Sequence, residues 1–357
     1  MSSFAQVVIS GNIDFATARI GGTQNGVNGT TVSTLTGTSS TSVINIIATE
    51  DIGGGTMVTG KYGLDPRTLV NDSGAVTLPA DASTNTFTGL ARDEAYVGIA
   101  GDFGNVRLGS PNSLGLEGFL TASPAGTGIG SGYAPVATKQ VNSYVNTRYN
   151  RSARYDSAAM AGFTVSALYA PGADNLQEGA AANVASVIPN ARKTTEFNLK
   201  YAMGPLTANL TRIQQGAQAN GTGWYAAGAG GGQNGTSINM FAANYVLGST
   251  TLYGQYNLGQ RLAYGLNVKG NIFGVKNTQG NVDLIAQYNS EVTTSAANVD
   301  TRSTVIGVRA DFNLSKTAAI YVGAEKWDTG TAAGVLGATA AVTGVRNIIS
   351  TGIRKNF

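Results

Sequence analysis

Along almost the whole chain, apolar and polar residues alternate with a period of two. That spacing places successive side chains on opposite faces of an extended strand. Near the start, Ile9, Gly11, Ile13 and Phe15 alternate with Ser10, Asn12 and Asp14. Val58, Tyr62 and Leu64 alternate with Thr59, Lys61 and Asp65, and Phe197, Leu199 and Tyr201 with Glu196, Asn198 and Lys200. Further on, Val282, Leu284, Ala286 and Tyr288 alternate with Asp283 and Gln287, and Ile306, Val308, Ala310 and Phe312 with Arg309 and Asp311. No stretch of about 18 apolar residues exists, so a membrane passage in this chain must use strands.

The connections support the same reading. Tight, turn-forming stretches such as Gly101-Asp102-Phe103-Gly104-Asn105, Met203-Gly204-Pro205, Leu247-Gly248-Ser249 and Asn313-Leu314-Ser315-Lys316 alternate with long polar or glycine-rich ones near 20–40, 66–85, 111–147, 172–192, 216–235 and 329–344. Hairpins therefore close tightly on one side and splay into loops on the other, the asymmetry of a bacterial membrane barrel. The expected fold is an all-β transmembrane antiparallel barrel of about sixteen strands, one domain over residues 1–357. Lipid enforces closure, because an unpaired backbone amide in hydrocarbon costs several kcal/mol and only a sheet without edges avoids it. Phe103, Phe163, Tyr201, Tyr245 and Phe312, all beside short turns, are candidates for an interfacial aromatic belt.

Composition narrows the function. Charged residues make up only 12% of 357 residues, where soluble domains carry about 25%, so much of the surface faces something other than water. The chain has no His and no Cys, which excludes thiol chemistry, Cys–His pairs, Ser–His–Asp triads and zinc sites built on these ligands. No cofactor and no metal site is expected. A net charge of +3 from 23 basic and 20 acidic residues is too balanced for a nucleic-acid partner. Gly230-Gly231-Gly232-Gln233-Asn234-Gly235 fits a dinucleotide fingerprint but has no helix after it, and Glu50-Asp51 offers too few oxygens for calcium.

In order and spacing, Val8-Ile9-Ser10-Gly11-Asn12-Ile13-Asp14, Thr49-Glu50-Asp51-Ile52-Gly53-Gly54-Gly55, Tyr96 to Gly109, Gly204-Pro205-Leu206, Asn313 to Thr317 and the ending Gly352 to Phe357 resemble the trimeric general porins of Gram-negative bacteria, especially their β-proteobacterial branch. The resemblance implies a homotrimer in the outer membrane, in contact with lipid and lipopolysaccharide. It also implies a passive channel for ions and small hydrophilic solutes, with the third external loop folded into the lumen as a constriction. The candidate loop is 111–147. Phe357 resembles the terminal signal read by the barrel-assembly machinery, on a strand whose outward positions are Thr351, Ile353, Lys355 and Phe357.

Fixed charges in a narrow aqueous passage set its ion preference. The family carries a ladder of arginines on the wall facing the inserted loop, and Arg148 matches one rung. Val43 and Asp93 stand where other rungs are often Arg, and the loop holds one acid, Glu117, and one base, Lys139. The expected constriction is therefore Arg148, Arg154, Arg107 and Lys61 on the wall, with Asp93, facing Glu117, giving weak selectivity with a slight anion bias. The alternative reading of these basics is that they pair with Asp14, Asp65 or Asp93 and merely brace the wall. Arg151 falls on the opposite parity from Arg148 and Arg154. A substrate-specific channel remains the rival within the class, with Phe119, Tyr133 and Tyr144 as a possible aromatic slide.

Overall fold

A computed structural model describes residues 6–24, 27–36, 38–64, 93–133, 147–171, 193–216, 236–261, 266–295, 298–331 and 342–357. The alternating segments form β1 (Gln6–Gln24), β2 (Val27–Thr36), β3 (Val43–Gly53), β4 (Thr56–Leu64), β5 (Ala95–Gly101), β6 (Gly104–Ser110), β7 (Ser152–Asp156), β8 (Phe163–Ala170) and β9 (Thr194–Met203). They continue with β10 (Leu206–Gln215), β11 (Thr236–Leu247), β12 (Thr250–Arg261), β13 (Leu266–Gln279), β14 (Val282–Thr294), β15 (Asp300–Asn313), β16 (Ala318–Thr331) and β17 (Val342–Asn356). One helix, α1 (Leu114–Ala122), interrupts the series between β6 and β7. No helix among the described residues is long and apolar enough to cross a membrane.

From β3 onward, each strand pairs antiparallel with the next. The sheet then closes on itself where β1 meets β17, from Asn12↔Asn356 to Gln24↔Gly344. Gly11 and Phe357 complete that seam by exchanging backbone hydrogen bonds of 2.9 and 3.0 Å. Seventeen segments make sixteen wall positions, because β2 and β3 both lie against β1, at Phe15–Gln24 and at Gln6–Asn12 respectively. Between them, residues 38–42 leave the wall.

Side chains sort by parity. Phe197, Leu210, Phe241, Tyr256, Phe273, Ile306, Val322 and Ile353 all point outward and are exposed, a surface that only lipid or protein can cover. Phe103, Phe163, Tyr245 and Phe312 are exposed beside the short turns, and Phe163 packs on Tyr201 at a centroid separation of 4.7 Å. Thr351, Ile353 and Lys355 are exposed on the last strand, as are Asn347 and Ile349 before them and Phe357 just after it.

One expectation needs correction. The stretch near 20–40 is mostly a strand hairpin, in which β1 and β2 run from Phe15↔Thr36 to Gln24↔Val27. Its Thr and Val content satisfies a ladder as readily as a loop. Arg151 is exposed in a turn with φ +53°, whereas Arg154 is buried, in keeping with their opposite parity.

Candidate functional site: a loop seated in the lumen

After β6 the chain turns into the barrel instead of running on as wall. Ser113 caps α1 by accepting from the Leu116 N–H at 3.0 Å. The first N–H groups of the helix, on Leu114 and Gly115, donate to the Glu196 carboxylate of β9 at 2.6 and 3.1 Å. Helix N-termini carry unpaired N–H groups and a positive field, so a carboxylate is the natural partner there. Tyr149 donates its hydroxyl to the other Glu196 oxygen at 3.0 Å.

The loop then tracks along the opposite wall. Asn244 of β11 donates to the Thr121 carbonyl at 2.9 Å. Gln287 and Asn289 of β14 both donate to the Ser131 carbonyl at 2.7 Å. At the tip, the N–H groups of Gly130 and Gly132 converge on Glu325 of β16, whose other oxygen accepts from Trp327 Nε1 at 2.8 Å. Two wall glycines make room. A Cβ on Gly307 would lie 2.3 Å from the Gly130 carbonyl oxygen, and one on Gly323 2.6 Å from the Ile129 side chain. Behind the loop, Leu116, Phe119, Tyr133 and Ile272 form one buried apolar cluster. Phe119 and Tyr133 stack at 5.1 Å within it, so they face the wall and not the passage. Tyr144 and Lys139 lie outside the described residues.

The charged wall lies across from this seat. Lys61 pairs with Glu94 at 2.6 Å, and Arg148 pairs with Asp93 at 3.4 Å. Arg107 pairs with Asp156 and stacks on the Tyr96 ring at 5.5 Å. Arg154 bonds Asp156 at 2.8 Å and also meets Glu117 of α1. All four predicted basics thus gather on β4, β6, β7 and the turn before β7, each with a carboxylate. Asn112 ties them together at the root of the loop. Its N–H donates to Glu94 at 2.9 Å, its carbonyl accepts from Arg154 at 2.8 Å, and its side-chain oxygen accepts from Arg148 at 3.3 Å. Burial alone would push the Glu94 carboxyl up, but Lys61 and the Asn112 N–H, with Arg107 behind, outweigh it and hold it below the usual carboxylate range.

Sequence reading missed Glu94, Asp156 and Asn112. Asp156 was within reach, because it lies two residues from Arg154 on one strand and so shares its face.

A closed sheet with an inward-folded third loop directs comparison to channel proteins. The family model described as Gram-negative porin matches residues 1–332. The chain belongs to the Gram-negative porin family. As a Gram-negative porin it is an outer-membrane diffusion channel. Among solved structures it is similar to the anion-selective porin from Comamonas acidovorans, at 20% identity and TM-score 0.71, over 99% of this chain and 100% of that one. It is also similar to OmpT of Vibrio cholerae, at 13% identity and TM-score 0.67, over 100% and 99%. The outer membrane channel DcaP of Acinetobacter baumannii matches at 12% identity and TM-score 0.61, over 99% and 97%. Comparison with curated protein sequences finds no match.

Proposed function

We propose that this porin works as a homotrimer whose passage, bounded by the loop 111–147 and the wall residues Arg148, Arg154, Arg107, Lys61 and Asp93, passes small hydrophilic solutes without catalysis and slightly favours anions. The supporting observation is an inequality of depth within the ion pairs. Side-chain exposure is 33% for Lys276 against 14% for Asp283, 22% for Arg354 against 4% for Asp311, 18% for Arg148 against 14% for Asp93, and 16% for Lys61 against 10% for Glu94. In these four pairs the cation stands nearer the water, so a passing ion meets a weakly positive wall there even where the charges cancel in number. The pairs of Arg107 and Arg154 run the other way: Asp156 is more exposed than either arginine, and Glu117 more exposed than Arg154, which keeps the bias small. The Comamonas porin is described as anion-selective, and one form of the Vibrio protein as a trimer; both lend weight to the reading.

The outward apolar band suits outer-membrane lipid and lipopolysaccharide, and the exposed Phe357 suits a terminal signal for the barrel-assembly machinery. Reversal potentials across a planar bilayer under a KCl gradient test the selectivity. A small anion preference is expected, and Arg148→Ala should move it toward cations by leaving Asp93 without that partner. A pronounced cation preference in the unaltered protein would overturn the assignment.

A further inference from the structure

The tip of the lumenal loop rests on more than the wall. Residues 38–42, where the second wall position is interrupted, turn inward and meet it. The Thr38 carbonyl accepts from the Ile129 N–H at 2.6 Å. Arg309 spans the contact, donating to the carbonyls of Ser39 and Ala125 at 3.2 Å each. The approach is backbone to backbone, since a Cβ on Gly128 would fall 2.1 Å from the Ser39 carbonyl oxygen.

The bulge itself is held by one fully buried carboxylate, Asp14 of β1. One Asp14 oxygen accepts from the N–H groups of Ser39 and Ser40, and the other accepts from the Tyr321 hydroxyl at 2.6 Å. The Asp14 N–H donates to Ser42 Oγ at 3.0 Å, closing the other end of the excursion. β1 has no ladder partner for Ile13 and Asp14 on that side, because pairing stops at Phe15↔Thr36 and resumes at Asn12↔Val43. The carboxylate therefore stands in for the missing strand, satisfying backbone donors that would otherwise be buried without acceptors.

We infer that Asp14 is a positioning residue for the constriction: it fixes the inward bulge at 38–42, and the bulge in turn fixes how far the loop tip reaches into the passage. Asp14 touches neither the loop nor the permeating water. Its influence runs through the carbonyls of Thr38 and Ser39 to Ile129 and Arg309. The inference rests on the channel reading above and goes beyond it by naming a control point outside both the loop and the charged wall.

The test is unitary conductance of purified protein in planar bilayers, with thermal unfolding in detergent recorded alongside. Asp14→Ala should alter unitary conductance by about 1.5-fold and raise open-channel noise, since the mobility of a lining element sets the width of a constriction. Asp14→Asn keeps one acceptor oxygen for the Ser39 and Ser40 N–H groups and should restore conductance close to that of the unaltered protein. Gly128→Ala reaches the same contact from the loop side, and serves if Asp14→Ala fails to fold. It should give the same phenotype, and the double variant should not exceed the larger single effect, as expected for two changes that break one contact. Lowered thermal stability with conductance unchanged in both single variants would overturn the inference, and so would strictly additive conductance effects. Failure of the unaltered protein to conduct would instead count against the channel reading.

Discussion

The two sides of the lumen are built from the same alternating strands, yet they hold their polar groups differently. On the seat side, β9 to β16, the two carboxylates that hold the loop are dry and bonded to its backbone N–H groups: Glu196 to Leu114 and Gly115, Glu325 to Gly130 and Gly132. Across the passage, on β4 to β7, carboxylates meet side-chain cations at a partly wetted surface: Glu94 with Lys61, Asp93 with Arg148, Asp156 with Arg107 and Arg154. The first arrangement spends charge on holding a loop, and the second presents charge to passing ions. Substitutions on the seat should therefore be read out in stability and conductance, and substitutions on the wall in selectivity.

The strongest test of that division is steric. Gly307→Val puts a side chain where the Gly130 carbonyl already lies, and overpacking of this kind costs about 1–3 kcal/mol. A lower unfolding temperature in detergent together with altered unitary conductance is expected. Gly254→Ala, where a Cβ meets nothing within 4 Å, should change neither. If Gly307→Val behaves like Gly254→Ala, the loop is not seated on β15.

A loss of stability is also expected at the helix end. Glu196→Ala strips the acceptor from two buried N–H groups and from the Tyr149 hydroxyl, at about 1–3 kcal/mol for each donor left unmade. Glu196→Gln retains one acceptor oxygen and should lie between the two in unfolding temperature. Asp156→Asn on the wetted wall is the counterpart, and its main effect should be on reversal potential, toward anions, because it takes the carboxylate from Arg107 and leaves Arg154 with Glu117. A reversed pattern, with Glu196 governing selectivity and Asp156 governing stability, would break the comparison.

Alternation carried the barrel, its closure and its outward face, because a period of two is local and every strand repeats it. It also brought Arg107, Arg154 and Lys61 to the lumen. It gave no sign that Ala16, Ala18 and Ile20 of β1 face inward and are buried with Ile129, Tyr321, Trp327 and Ile348. Inward faces are polar only where water covers them, and here a loop does. The Lys61–Glu94 pair was equally out of reach, since it depends on the register Lys61↔Tyr96 between β4 and β5, and the residues between those strands carry no pattern that sets it. The bulge at 38–42 was hidden for a third reason. Its Thr and Ser residues suit strand, turn and loop alike, and only Asp14 on the neighbouring strand selects among them.

The gentlest probe of the charged wall is acid. Glu94 lies just before β5 and is held ionised by Lys61 and the Asn112 N–H against the penalty of its own burial. A carboxyl with a lowered pKa keeps its charge as pH falls through the usual glutamate range near about 4.3 and takes a proton only below it. The contribution of Lys61 to anion preference should accordingly stay masked from neutral pH down through that range and emerge beneath it. Glu94→Gln should show at neutral pH the small extra anion bias that the unaltered protein reaches only in stronger acid, with the acid-dependent change correspondingly reduced. Should the two proteins give the same reversal potential at neutral pH, Lys61 does not face the permeating ion, and the wetted wall narrows to Arg148, Arg107 and their partners.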